Sequence, residues 1–409
     1  MKKLTIIFLW IFSLISAQVG PAKELHRNPP RAWALTNATI HASPGKTIVN
    51  GTVVMRNGMI TSVGSEVKIP KQATIRDMEG KHIYAGFIES WLDVNTIKKD
   101  TSLQAHWNSN MRAYLKAADL FHPKDKELRD LRALGFTTAH ITPKGGIFQG
   151  QSALVQLGKT PKVLSENIAQ VIEFASSGWG SREYPTSLLG VIAFIRQGFY
   201  DATWYEKTGN ILAKYPDGNE PIQKDRSLEA LSSGKGKKQP FVFRTNNELY
   251  IDRSENIADE FDLNFWIRGN GYEYRRIDQM PASFMIVPLN FPGKPEVADP
   301  YQALQYTTEQ LKHWDMAPDN VAKLVAAGFQ VALTGSDLKN KKDFQKNLSR
   351  SINRGLNESD ALAALTTNPA REFGQSKRLG KVAPGYIANL VIADNNYFSG
   401  ESTVNAVWI

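Results

Sequence analysis

The 409-residue chain contains no cysteine. That excludes a disulfide framework, a thiol nucleophile, a zinc–thiolate centre and a lipid-modified N-terminal cysteine. Histidine is scarce, with seven in all, so a histidine-rich metal site has little to draw on. No apolar run is long enough to span a bilayer comfortably. Low-complexity tracts are missing too, and charged residues make up 22% of the chain, which argues against extended disorder. The formal net charge is +9, but the lysines and arginines are scattered and no helix carries a continuous basic stripe. Nucleic-acid binding is therefore not expected. The one dense basic run, Gly234-Lys235-Gly236-Lys237-Lys238, is short and glycine-broken and reads as a solvated loop.

What is present begins with an address. Lys2 and Lys3 precede an apolar stretch from Leu4 to Leu14, and Ser16-Ala17 stand before a cut expected at Gln18. This is the layout of a secretory signal peptide over residues 1–17, which implies export to the periplasm or the exterior. Residues 18–31, with Pro21, Pro29 and Pro30, read as a leader. From Ala32 short β runs follow, punctuated by Gly45, Asn50-Gly51, Asn57-Gly58 and Gly64, which predicts a small β module with hairpins at the Asn-Gly pairs. From residue 82 to 369, helical stretches alternate with short buried strands. About eight βα units fit there, as a (β/α)8 barrel requires. The chain returns to strands at Ala388–Ala393 and Val404–Ile409. The two ends, 32–81 and 370–409, are expected to join in one composite β-sandwich domain. The run ending at Ile409 has no polar cap, and a longer parent chain is expected.

Several segments, taken in order, resemble the amidohydrolase superfamily, in particular its imidazolonepropionase-like branch of metal-dependent hydrolases. They are Asn57-Gly58-Met59-Ile60-Thr61-Ser62-Val63-Gly64, Tyr84-Ala85-Gly86-Phe87-Ile88-Glu89, Leu134-Gly135-Phe136-Thr137-Thr138, Ala364-Leu365-Thr366-Thr367-Asn368-Pro369-Ala370 and Pro384-Gly385-Tyr386-Ile387-Ala388-Asn389-Leu390-Val391-Ile392. The resemblance covers nearly all of residues 32–409. It implies a barrel that hydrolyses non-peptide C–N bonds of amides and cyclic amides. In active relatives a divalent metal such as zinc sits at the C-terminal mouth, where it activates water and polarises a carbonyl. Its ligands there are H-x-H on the first strand, one histidine on each of the fifth and sixth strands, and an aspartate on the eighth that also serves as base.

This sequence departs from that pattern. The H-x-H positions fall on Trp91-Leu92-Asp93, the fifth-strand histidine on Arg244, and the sixth-strand histidine on Arg268 or Gly269. The aspartate persists as Asp337. Tryptophan offers a metal no lone pair, and arginine is permanently cationic. A resident metal or other cofactor is therefore not expected, and Asp337 is expected to pair with Arg244 or an arginine near the sixth strand. His140 closes the second strand and points at the mouth at best. Gly145–Gly150 lacks the lysine and context of a phosphate loop and resembles the family's pocket-shaping loop.

Three readings follow. The first is a catalytically degenerate module, part of a tandem protein or associated with a second amidohydrolase domain. The second is an enzyme of altered chemistry, with Asp337 as base and Arg244 and Arg268 orienting an anionic substrate. The third is an exported binding protein that captures an anionic small molecule or peptide through the same arginines.

Overall fold

The computed structural model describes residues 32–94, 105–175, 183–217, 220–280 and 283–409. The expected signal peptide and leader lie outside the described residues. Among the described residues no helix is long and apolar enough to cross a membrane.

The chain opens with β1 (Trp33–Ser43), β2 (Lys46–Arg56), β3 (Met59–Gly64), β4 (Thr74–Asp77) and β5 (His82–Ala85). Asn57 and Gly58 both have positive φ, 55° and 73°, and make the tight β2–β3 turn that Asn-Gly favours. Asn50-Gly51 does not turn the chain. Both residues lie inside β2, where Asn50 has φ 51° and the β1–β2 register shifts beside Gly51. The pair is a bulge, not the expected hairpin.

The barrel strands are β6 (Phe87–Val94), β7 (Phe136–Pro143), β8 (Phe148–Gln151), β9 (Ala153–Gln156), β10 (Lys162–Ser165), β11 (Gln170–Glu173), β12 (Phe241–Arg244), β13 (Phe265–Arg268), β14 (Phe284–Pro288) and β15 (Gln330–Thr334). β6 and β7 are parallel, and β11 to β15 run parallel in sequence order. Between the two groups the stretch from β8 to β9 runs the other way, β8 antiparallel to β11 and β9 antiparallel to β7. The barrel is thus of the (β/α)8 type with its third stave reversed. The chain turns back at once through Gly145 and Gly146, both at positive φ, and so makes the short connection an antiparallel neighbour allows. β15 meets β6 through the Thr334 hydroxyl, which donates to the Trp91 carbonyl at 3.1 Å.

Around the barrel lie α1 (Ala117–Leu120), α2 (Asp125–Ala133), α3 (Leu188–Lys214), α4 (Arg226–Gly236), α5 (Leu249–Phe261), α6 (Pro300–Ala303), α7 (Thr308–Met316), α8 (Asn320–Ala326), α9 (Asp343–Asn353), α10 (Glu358–Leu365) and α11 (Thr367–Glu372). Between β13 and β14 the expected helix is replaced by two 3-10 turns at Glu273–Arg275 and Ile277–Gln279. The basic run at 234–238 is no simple loop either, since α4 continues through Gly236 and buries Gly234. Inside the barrel, Ile88, Trp91, Val242, Trp266, Phe284 and Ala332 pack on Phe373, which follows α11.

The last strands, β16 (Leu390–Ala393) and β17 (Val404–Trp408), return to the start. β16 pairs antiparallel with β5, so both ends of the chain share one seven-stranded sheet ordered β17-β16-β5-β1-β2-β3, with β4 on β1. This sheet takes in residues 82–85, which the sequence pattern assigned to the barrel. Asn389 fastens sheet to barrel: its side chain donates to the Thr138 hydroxyl at 3.3 Å and accepts from Gln156 at 2.7 Å.

Candidate functional site

The C-terminal ends of β6, β12, β13 and β15 bring Trp91, Asp93, Arg244, Arg268 and Asp337 together. β6 carries a bulge across Ser90 and Trp91, and bulges of this kind re-aim side chains at barrel rims. Trp91 is fully buried in the barrel core. Its indole N–H donates to Asp93 Oδ1 at 2.8 Å, and the guanidiniums of Arg244 and Arg268 each lie 5.9 Å from the ring centre. The tryptophan is thus the apolar divider between two ion pairs.

On one side Arg244 Nη1 donates to both carboxylate oxygens of Asp93 at 3.2 Å. Lys144 approaches the same carboxylate at 3.3 Å, and Glu173 lies 3.9 Å from Arg244 Nε. On the other side Arg268, only 2% exposed, donates from Nη2 to Asp337 Oδ2 at 2.6 Å and to Ser336 Oγ at 2.7 Å. Its Nη1 donates to the Gly269 carbonyl. Burial pushes the Asp337 carboxyl up, but the charge and hydrogen bond of Arg268 overcome it and hold the group below the usual carboxylate range.

Of the two sixth-strand positions, Arg268 is the one that enters the mouth. Gly269 lies against a buried acid instead, where an added Cβ would come within 2.2 Å of Glu273 Oε1. That carboxylate accepts from the backbone of Asn270 and Gly271 and from the Asn320 amide.

Sequence reasoning did not single out Glu89 or Lys341, which complete the network. Glu89 is 1% exposed and accepts from the backbone N–H groups of Trp91 at 3.2 Å and Gly335 at 3.1 Å. Burial raises its pKa. Lys341 donates to the carbonyls of Gly335 and Ser336, and burial draws its ammonium below the usual lysine range against the pull of Glu89. The acid in the apolar run after Gly86 was visible in the sequence, but Lys341 lies in a polar stretch that nothing local marks.

His140 does not reach the mouth. It is buried behind Trp91, with its rings stacked on Phe373 at 4.3 Å. Its Nδ1 lies 3.0 Å from the Ser90 carbonyl and its Nε2 2.7 Å from Ser152 Oγ. Burial lowers its pKa to about 4, against the opposing carbonyl bond. The ring is neutral at pH 7, so Nδ1–H donates to the carbonyl. Among the described residues no group of three or more histidine, aspartate or glutamate side chains is arranged to hold a metal ion. The donor set at the mouth does not fit one either. Two permanent cations would repel it, and both carboxylates are already matched to those cations. A cavity of about 770 Å³ adjoins Asp337, walled by Phe291 and Trp314 and edged by Lys294, Lys339, Lys346 and Arg350.

Comparison with known proteins gives a consistent picture. Residues 318–409 match the amidohydrolase family. The chain is 22% identical over 400 residues to the amidohydrolase tasK of Hapsidospora irregularis, a match covering 88% of this chain and 39% of that relative. The chain therefore spans about two fifths of the relative's length. Among solved structures, an amidohydrolase from Thermotoga maritima superposes with a TM-score of 0.74 at 22% identity, covering 92% of this chain and 97% of the other. A prolidase complexed with N-methylphosphonate-L-proline superposes with a TM-score of 0.52 at 15% identity, over 92% and 98%. At these identities the solved structures establish the shared fold.

Proposed function

We propose that the chain is a catalytically degenerate member of the amidohydrolase superfamily, in which ion pairs stand where active relatives hold metal. The observation that carries this reading is Arg268. It is almost wholly buried and donates at 2.6 Å to Asp337, the carboxylate that in active relatives would bind the metal and take the proton from water. A base locked to a guanidinium is a poor proton acceptor, because the pair stabilises its charged form. Water activation by a Lewis acid has no vacant donor set to use. The barrel would then serve as a folded companion to an intact amidohydrolase domain, exported by its N-terminal segment. The 409-residue chain by itself should give no turnover above buffer with N-acyl amino acids, dipeptides and cyclic amides in the presence of zinc or manganese. Metal-dependent turnover that disappears in Asp337→Ala would overturn the reading.

One observation favours a second reading, capture of an anionic ligand. The cavity beside Asp337 gathers Lys294, Lys339 and Lys346, none in an ion pair among the described residues, with Arg350 over the Phe291 ring at 5.4 Å, so that its cations outnumber the carboxylates of Asp337 and Asp343. On this reading the anion site lies in that cavity and not on Arg244 and Arg268, which are engaged internally. Titration with inorganic phosphate and benzoate should then give saturable binding that Lys346→Gln weakens several-fold and Arg244→Gln does not. Equal loss in both variants, or no binding, would reject it.

A further inference from the structure

The helix α3 is 27 residues long, about 40 Å at 1.5 Å per residue. Its inner face is Val191, Phe194, Ile195, Gly198, Phe199 and Ala202, which cover β8 and α5. Phe199 meets Phe241 edge to face at 5.3 Å and Phe261 at a tilt at 5.0 Å. The opposite face should be polar if it met only water. Instead Leu189 is 81% exposed, Tyr200 56%, Trp204 57% and Ile211 55%, with Tyr215 beyond the end of the helix also 56% exposed. At 100° per residue the four within the helix fall in one band about 60° wide, directly opposite the buried face. Isolated exposed apolar residues need no explanation, but a stripe running nearly the whole length of a helix marks a contact surface.

The order of residues along the stripe says what covers it. Leu189 and Ile211 stand eleven positions on either side of Tyr200, and Arg196 and Trp204 stand four on either side. Eleven residues is about three helical turns and four is about one, so each pair returns to the same face. A second α3 laid antiparallel with its two-fold axis at Tyr200 would therefore set Leu189 of one copy against Ile211 of the other. It would also set Arg196 against Trp204, twice. The first match is apolar on apolar. The second places a guanidinium on an indole face, a favourable cation–π arrangement. Arg196 is already oriented on this face, since its Nε donates to Glu260 at 2.6 Å while the Tyr200 hydroxyl donates to the other oxygen of the same carboxylate at 3.0 Å. Lys207 would face Ala193, one turn from Arg196, whose charge is already balanced by Glu260. With aromatic side chains offering about 150–250 Å² each, the five residues present roughly 600 Å² per copy, about 1,200 Å² in a pair. That is the lower end of stable interfaces.

We propose that the outer face of α3 is the interface of a two-fold homodimer, the two helices packed antiparallel about Tyr200. A two-fold interface needs a self-complementary patch, and the mirrored spacing about Tyr200 supplies one. The inference is independent of what the barrel mouth does.

Because the chain has no cysteine, one introduced thiol reports on one place. Light scattering of the full chain at about 50 µM should give twice the 45.6 kDa chain mass. Trp204→Glu and Ile211→Glu should each return it to the monomer with an unchanged circular dichroism spectrum. Tyr200→Cys should be captured as a covalent dimer by a short bismaleimide. Leu304→Cys, on a residue 83% exposed elsewhere, should not. A monomeric native chain at that concentration overturns the proposal and leaves the stripe to another partner. So does a dimer that survives both glutamate variants, or equal capture from positions 200 and 304.

Discussion

Asp337 and Arg268 make the sharpest claim at the scale of single residues. Arg268 has almost no contact with water, so removing its carboxylate leaves a buried cation without its counter-charge. Breaking a buried pair typically costs about 3–5 kcal/mol. The Asp337 side chain is 34% exposed, which moves the expectation to about 3 kcal/mol or somewhat less. Asp337→Ala should lower the urea midpoint accordingly, and adding Arg268→Met should restore part of the loss. An unchanged midpoint in the single variant would mean the pair does not form. His140 gives a pH prediction. Its folded pKa, about 4, lies below the free value of 6.5, so its neutral form is the one compatible with the fold. The stability this provides is complete above pH 6.5 and is lost as pH falls toward 4. The loss should be on the order of 3 kcal/mol, read as a falling urea midpoint over that window. In His140→Gln, whose amide can hold the Ser90 carbonyl, the slope over that window should flatten. An unaltered slope would assign the pH dependence to other groups. That His140 closes the second strand is legible in the sequence, but its position behind Trp91 is not, because the bulge in β6 that turns Trp91 inward has no local signature.

At the scale of elements, Gly86 shows how a motif serves the fold. It separates β5, which belongs to the terminal sheet, from β6, which belongs to the barrel. A Cβ there would stand 2.1 Å from Thr137 Oγ1. Gly86→Ala should cost about 1–3 kcal/mol by overpacking, and Thr137→Ala should relieve much of it. A neutral Gly86→Ala in thermal denaturation would show that the junction yields. Asn368, in another of the recognisable segments, donates to the Val331 carbonyl at 2.9 Å and so ties α11 to β15. These segments were legible because glycine and asparagine at such junctions are forced by close approach or an unpaired carbonyl. The reversed third stave was not legible. β8 and β9 are short buried runs, and strand direction depends on the partners a run finds, which periodicity does not encode. Asn50-Gly51 misled for a related reason. The same pair that closes a two-residue hairpin also fits a bulge, and only the register of β1 decides.

For the whole molecule, the sequence order carried the architecture well. The recurrence of β runs at both ends anticipated that they would meet, and they share one sheet through β5 and β16. The barrel mouth was legible only through the family resemblance, which sets Trp91, Asp93, Arg244 and Asp337 where active relatives carry their metal ligands. What was not legible is how their charges are shared. Arg268 takes Asp337, Arg244 takes Asp93 along with Lys144, and Trp91 holds the two pairs apart. The central claim is that this balanced network leaves a divalent ion no place. The most direct test is to titrate zinc into the metal-stripped full chain and measure the ion retained after dialysis, alongside Asp337→Ala. The account predicts no stoichiometric retention in either protein. About one zinc per chain in the native protein, abolished in Asp337→Ala, would contradict it.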